Sequence, residues 1–553
     1  MSLHLTEMVA ALDADIDRLL ASQVKDRQSP VYGGFLLPGD HVEPRMSGFG
    51  LSRMVMGYVC QESRHHLSTQ VKEGLEATLA YMDAHQRPDG CFDLSSCNFA
   101  SPPDTAFMLN AMLNGWWLLE KRARQETKWL REPMYRLIDT CASGIAAGGF
   151  HTPNHRWAIA SCLLHVAKIT GRTSLAGRAR QYLAEGLDIN ADGEFAERSA
   201  GNYNQVNDDQ MIRLYLATED PAFLDAAKAN LEMMYCYIDP DSSVFTNNST
   251  RQDYGRKVYL ESYFDLFLLV GYFTKDAKLG AMAEWIYRAS RAKGRMPGGV
   301  EWLLLYPEMD GFGAEEPFPL PFLKYNRYFK DSRIARVRDG DISLTVMEDR
   351  ANFLYIQYKT FTLYLVIYAN ICDQRNFVAQ QIEAIPGGYR LRSHAAGWYY
   401  LPYLEKPLTS DWWAMDNNAT RERVQGLPLD TAVEAVLRPD GVDVRVVTEG
   451  IDRLPFRLEI GVPANSALRA DQFYLSGKAG ECVTLRSGSV DVIGEGGEIV
   501  TISPAFAAHN VLARMGGAYP QSQEHFTLYM TDYTPVDRTL HIRATGLAPT
   551  FPR

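Results

Sequence analysis

The sequence predicts an α+β multidomain protein: an N-terminal α/α toroid of helical hairpins followed by a C-terminal antiparallel β-sandwich domain. Three observations predict it. From Leu5 to about Ser290 apolar residues recur at helical spacing, as in Leu75, Leu79 and Met82, or Ala160, Leu163, Leu164 and Ala167. After about Ile334 the chain changes to alternating runs rich in β-branched and aromatic residues, such as Ser343-Leu-Thr-Val-Met and Val442-Asp-Val-Arg-Val-Val, separated by glycine turns like Pro386-Gly-Gly and Pro439-Asp-Gly. Inside the helical half, short turns ending in phenylalanine recur at Phe92, Phe150, Phe195 and Phe245.

The domain division follows from size and from these changes of period. At 553 residues the chain exceeds the roughly 250 to 300 residues at which a single core stops growing. The expected units are an α/α toroid over 1–296, a linker over 297–335 rich in Pro, Gly and aromatics, and a β-sandwich over 336–553. Hydrophobic residues make up 46% and charged residues 22%, which excludes a disordered or fibrous chain.

The first helix, within Met1 to Leu20, is amphipathic and carries Asp13, Asp15 and Asp17 rather than a basic segment before an apolar core. No run of about 20 apolar residues suits a membrane span. The expectation is a cytoplasmic protein with no membrane partner, although a chain trimmed of its leader reads the same. A net charge of −11 argues against nucleic acid, because neutralising phosphates needs a basic face. The eight cysteines lack the spacing of a zinc knuckle and read as reduced thiols, so neither a metal nor another cofactor is expected.

The repeat of roughly 50 residues fits one helical hairpin per unit. Hairpins in series form an open solenoid or a closed toroid. The toroid is favoured because each Phe-ending turn is followed by an irregular polar segment and then a new helix, which puts those segments on one rim. They are Asn98 to Asp104, His151 to Trp157, Glu197 to Asn204 and Asn247 to Tyr254.

The rim carries the candidate chemistry. Asn154, His155 and Arg156 follow Pro153 at a helix start, where capping by Thr152 or Asn154 is the bland reading. A histidine suits proton abstraction near neutral pH, and its asparagine and arginine neighbours suit an acidic group. Tyr203 sits between Asn202 and Asn204, after Glu197 and Arg198. Arg251, beside Asp253, is able to hold a carboxylate through two parallel hydrogen bonds. In the β half, His394 and Trp398 are candidates for covering the mouth. Phosphate-loop, dinucleotide, zinc-protease and serine-hydrolase motifs are absent from the sequence.

On these stretches, Asn154-His155, Asn202-Tyr203 and Arg251-Gln-Asp253, the chain resembles the toroid polysaccharide lyases, the heparinase II/III-like and exo-alginate-lyase-like group. Within it the chain also looks like rhamnosyl-glucuronate lyases. The resemblance implies β-elimination at a 4-linked, glucuronate-type uronic acid of an acidic oligosaccharide or polysaccharide, probed from a chain end. It implies Asn154 with Arg251 neutralising the carboxylate, His155 as base, and Tyr203 as acid or as both, with Arg198 helping the tyrosine to ionise. Arg156, Asn202, Glu197, Arg198, Asp253, His394 and Trp398 are the expected substrate contacts. The group commonly carries further histidines, for which His394, His151 and His165 are the available residues. The rival is a glycoside hydrolase on the same toroid, with paired carboxylates drawn from Glu197, Asp208, Asp209, Asp253 and Asp104. Assembly as a homo-oligomer is left open.

Overall fold

A computed structural model describes residues 4–122, 125–415 and 421–547. The chain forms two compact units. One comprises Met1–Tyr235 with Ser243–Pro319, the other Cys236–Ser242 with Leu320–Arg553.

The first unit holds twelve helices among its described residues: α1 Leu5–Ser22, α2 Pro44–Val59, α3 Thr69–His85, α4 Pro102–Lys121, α5 Lys128–Ala147, α6 Pro153–Thr170, α7 Thr173–Leu183, α8 Tyr203–Thr218, α9 Pro221–Met234, α10 Phe264–Thr274, α11 Ala277–Ala292 and α12 Val300–Leu305. Even-numbered helices pack in series, α2 on α4, α4 on α6, α6 on α8 and α8 on α10, and α12 returns to α4. Each odd-numbered helix from α3 to α11 packs outside its preceding partner. This is the α/α toroid.

Burial follows the two rings. The inner helix α6 is buried on nearly every face from Trp157 to Val166, whereas the outer α7 buries only Leu175 and Ala179. An all-round buried helix must satisfy its polar side chains internally. Asn110 of α4 therefore donates to the Ala158 carbonyl and to Ser161 and Gln210, at 3.2, 3.1 and 2.9 Å, tying α4, α6 and α8 together.

Because each inner helix is reached through an outer one, the inner helices run in the same direction and start at one rim. Pro44, Pro102 and Pro153 open α2, α4 and α6, where a missing N–H costs no helix bond and the fixed φ suits the first turn. The Phe-ending turns at Phe92, Phe150, Phe195 and Phe245 precede the starts of α4, α6, α8 and α10. Gly193 in one of them has φ +89°, and a Cβ there would meet the Ala229 carbonyl of α9 at 2.4 Å, so the turn needs glycine.

The second unit is a sandwich of two nine-stranded sheets over one apolar core that draws Val346, Leu365 and Leu458 from one sheet and Leu391, Val433 and Val444 from the other. Among the described residues strand pairing is antiparallel except that Cys482–Thr484 runs parallel to His525–Tyr533, which also takes a parallel bridge from Ala507 at Thr531. Strands begin at Lys324–Phe329, inside the stretch read above as linker. The seven residues Cys236–Ser242 join this unit because Asp239 pairs with the fully buried Arg336, which also donates to the Cys236 carbonyl at 2.8 Å and to Thr345 at 3.0 Å.

All eight cysteines are free. Among the described residues no helix is long and apolar enough to cross a membrane.

Candidate active site

Two loops meet at the start of α8, and one buried carboxylate joins them. Asp253, 4% exposed, accepts from Ser199 Oγ at 2.7 Å, from the Gly201 N–H at 2.9 Å and from Ser249 Oγ at 2.6 Å. Thr250 adds a bond to the Glu197 carbonyl at 2.8 Å. Gly201 lies so close that a Cβ would sit 2.9 Å from Asp253 Oδ2 and 3.0 Å from Thr246 and Val258 side-chain carbons. Ser199 Oγ also accepts the N–H of Tyr203 at 3.0 Å, which satisfies an otherwise orphaned donor at the helix start.

This tie brings Arg251 and Tyr203 together. The Arg251 guanidinium carbon stands 4.7 Å from the Tyr203 ring centre, a cation–π stack, and its Nε lies 3.8 Å from Glu197 Oε1. Glu197 is 4% exposed, and neither carboxylate oxygen has a hydrogen bond of normal geometry, although Asn207 and the backbone N–H of Asn154 lie against it. Burial pushes the Glu197 carboxyl up to about 7, with Arg251 and Asn207 opposing and Asp188 adding to the rise.

The start of α6 supplies the facing side. Asn154 is buried and takes a 2.5 Å hydrogen bond from Thr152 Oγ1, and no side chain caps the helix. His155 packs edge-on against His151 at 4.6 Å and Phe107 at 5.9 Å, with its Nδ1 buried and unpartnered. Burial lowers the His155 imidazole to about 4; His151, Arg251 and Arg45 push the same way, and Asp104 opposes. The imidazole is therefore neutral at pH 7. Arg45 of α2 lies 3.5 Å from Asp104 of α4, and Phe107 of α4 packs on His155 of α6, so the starts of α2, α4 and α6 share a rim.

Asn154, His155, Tyr203, Arg251 and Glu197 thus converge from three separated stretches. Other candidates are engaged elsewhere. Arg156 pairs with Glu185 at 2.6 Å and stacks on Trp157 at 4.1 Å. Arg198, at φ +44°, faces Glu194 at 3.6 Å, so the cation on the tyrosine is Arg251 and not Arg198. Asn202 is exposed at the cap position of α8 and makes no side-chain cap bond. Asp253 is spent on the loops, and Asp208 is fully buried. Asp209 holds Arg213 at 2.7 Å, while Asp104 takes Ser101 at 2.7 Å, Asn98 at 2.9 Å and Arg45 at 3.5 Å. His165 bonds the Arg213 carbonyl at 2.9 Å, deep between α6 and α8.

His394 and Trp398 belong to the β unit. His394 Nδ1 bonds Asp430 at 2.7 Å, and Trp398 stacks edge-on against Tyr400 at 4.6 Å. Sequence reasoning missed Arg45 and Asn207. The signal for Arg45 was present, since Glu43-Pro44-Arg45 opens α2 as Thr152-Pro153-Asn154 opens α6. Among the described residues no group of three His, Cys, Asp or Glu side chains is placed to hold a metal ion.

No family model and no curated protein matches the sequence. Solved structures do match the fold. Over 98% of this chain, a Paenibacillus xanthan lyase superposes with a TM-score of 0.57 at 10% identity; the chain spans 57% of that protein's length. The Streptomyces coelicolor A3 chondroitin AC lyase, solved in complex with chondroitin sulphate, gives 0.56 at 11% identity over 98% of this chain and 79% of its own. Heparinase III gives 0.54 at 10% identity over 96% of this chain and 84% of its own. The chain shares the fold of these three lyases.

Proposed function

We propose that this chain is a polysaccharide or oligosaccharide lyase that cleaves at a 4-linked, glucuronate-type uronic acid by β-elimination, acting from a chain end. One observation carries the reading: a single guanidinium, Arg251, lies over the Tyr203 ring and faces the same rim as Asn154 and the neutral His155. The named lyases that share the fold support it.

Elimination requires three things of the site. The uronate carboxylate must be neutralised so that the C5 proton becomes acidic, that proton must be taken, and O4 must be protonated as it leaves. Arg251 provides the paired donors for the carboxylate, with the Asn154 amide beside it. Held near pKa 4, His155 is a weak base at neutral pH, which moves proton abstraction to Tyr203. Tyr203, beside the Arg251 guanidinium, takes the C5 proton as its tyrosinate and then returns it to O4. Neutral His155 is left to hydrogen-bond the developing enolate.

The hydrolase alternative needs two carboxylates placed across the scissile bond. Asp253, Asp208, Asp209 and Asp104 are tied or buried as described, which leaves Glu197 without a partner from that set. Tyr203→Phe is expected to lower formation of the ultraviolet-absorbing unsaturated uronide by about 100-fold or more, the scale of general acid–base catalysis, with the circular dichroism spectrum unchanged. Near-normal product formation by this variant would refute the assignment, and new reducing ends without ultraviolet absorbance would establish hydrolysis instead.

A further inference from the structure

Glu197 stands in an unusual place for a carboxylate. It is almost fully buried, both oxygens lack a well-formed hydrogen bond, and the cation facing it is Arg251, the group assigned to the substrate carboxylate. Every element around it contributes a group. Arg251 comes from the 249–253 loop, Asn154 from α6, Asn207 from α8, and Asp188 from the segment before the third Phe-ending turn. Asp188 is itself held by the Trp157 indole N–H at 2.9 Å, and the nearby Arg198 is turned to Glu194. Arg251 is therefore the compensating charge for Glu197 in the free protein.

A second carboxylate docking on Arg251 would place two anions on one guanidinium in a water-poor site, and that arrangement is costly unless one is neutralised. The ligand carboxylate remains ionised because it is exposed until it binds and has an ordinary acidity. Glu197 is the group already poised to change state. We propose that binding of a uronate carboxylate to Arg251 is coupled to uptake of one proton by Glu197, which makes Glu197 a positioning residue that sets the charge of the uronate subsite. This rests on the uronate reading above. No covalent bond changes; a proton from solvent adds to the Glu197 carboxylate, and Arg251 transfers its pairing from Glu197 to the ligand.

The carboxyl of Glu197 lies near 7, so protonation is partial in the free protein at neutral pH and complete in the complex. Uptake at pH 7.5 is then about three-quarters of a proton per site, and affinity falls by about tenfold per pH unit above 7. His155, at about 4, does not titrate in this window.

The probe is methyl β-D-glucuronide, whose O4 carries no sugar to eliminate. Calorimetric titration of the whole protein in phosphate and in Tris at pH 7.5 reads the proton count from the difference in heat between buffers. Wild type is expected to take up protons, and Glu197→Gln to bind with no uptake and with affinity flat from pH 6 to 9. Binding by wild type without proton uptake overturns the proposal while leaving the uronate reading in place; so does uptake retained by Glu197→Gln, which would move the proton to Asp188. Absence of binding at every pH overturns both. The wild-type measurement decides even if the variant misfolds.

Discussion

Asp253 separates a structural from a catalytic carboxylate, and Asp253→Asn tests which it is. Oδ1 accepts two hydroxyls, from Ser199 and Ser249, and Oδ2 accepts the Gly201 N–H. The amide keeps an oxygen for the hydroxyls but sets its NH2 against the Gly201 N–H, which loses one hydrogen bond to a charged acceptor and leaves a buried donor unpaired. Such a change costs about 2 kcal/mol. For the helical unit, with an unfolding entropy near 2 cal/mol/K per residue, that is a fall of about 3 °C in its transition temperature. Calorimetric scans measure it. Because Ser199 also holds the Tyr203 N–H, the variant's turnover should drop by about tenfold through misplacement of the Tyr203–Arg251 stack. The unsaturated product should still form. Complete loss of turnover with an unchanged transition temperature would refute this reasoning and make Asp253 a reacting group.

Two further outcomes follow from buried charge. His155 should titrate near 4 rather than 6.5 in histidine proton NMR, and its contribution to stability has a definite sign. Between pH 6.5 and about 4 the unfolded chain binds a proton that folded His155 refuses, so stability is lost as pH falls through that window, and His155→Gln should flatten the loss. A midpoint near 6.5 would show the ring to be solvated. In the β unit, Asp239→Ala leaves the fully buried Arg336 without its counter-charge, an expected cost of about 3 to 5 kcal/mol in urea unfolding of that unit. A change below about 1 kcal/mol would mean that Arg336 finds another partner.

The course of the chain was legible because it depends on local patterning. Helical spacing followed by alternation marks the two halves, and the Phe-ending turns followed by polar segments mark the shared rim, since each reflects what neighbouring residues must do to bury one face. Asn154, His155, Tyr203 and Arg251 were therefore found as rim residues before any contact was known. What those side chains touch was not legible. Asp253 reads in sequence as a partner of Arg251, yet its bonds cross to Ser199 and Gly201, more than fifty residues away. Arg198 is nearer to Tyr203 in sequence than Arg251 is, and its positive φ turns it to Glu194 instead.

The sequence by itself determined the two-part architecture and the set of loops that form the mouth, because hydrophobic period and turn chemistry are properties of short segments. Only the tertiary structure decided the charge of the site. Glu197 is raised to about 7 and His155 lowered to about 4 by burial, and the guanidinium of Arg251 lies against both Glu197 and the Tyr203 ring. Desolvation depends on everything that surrounds a group, and no stretch of sequence contains that information.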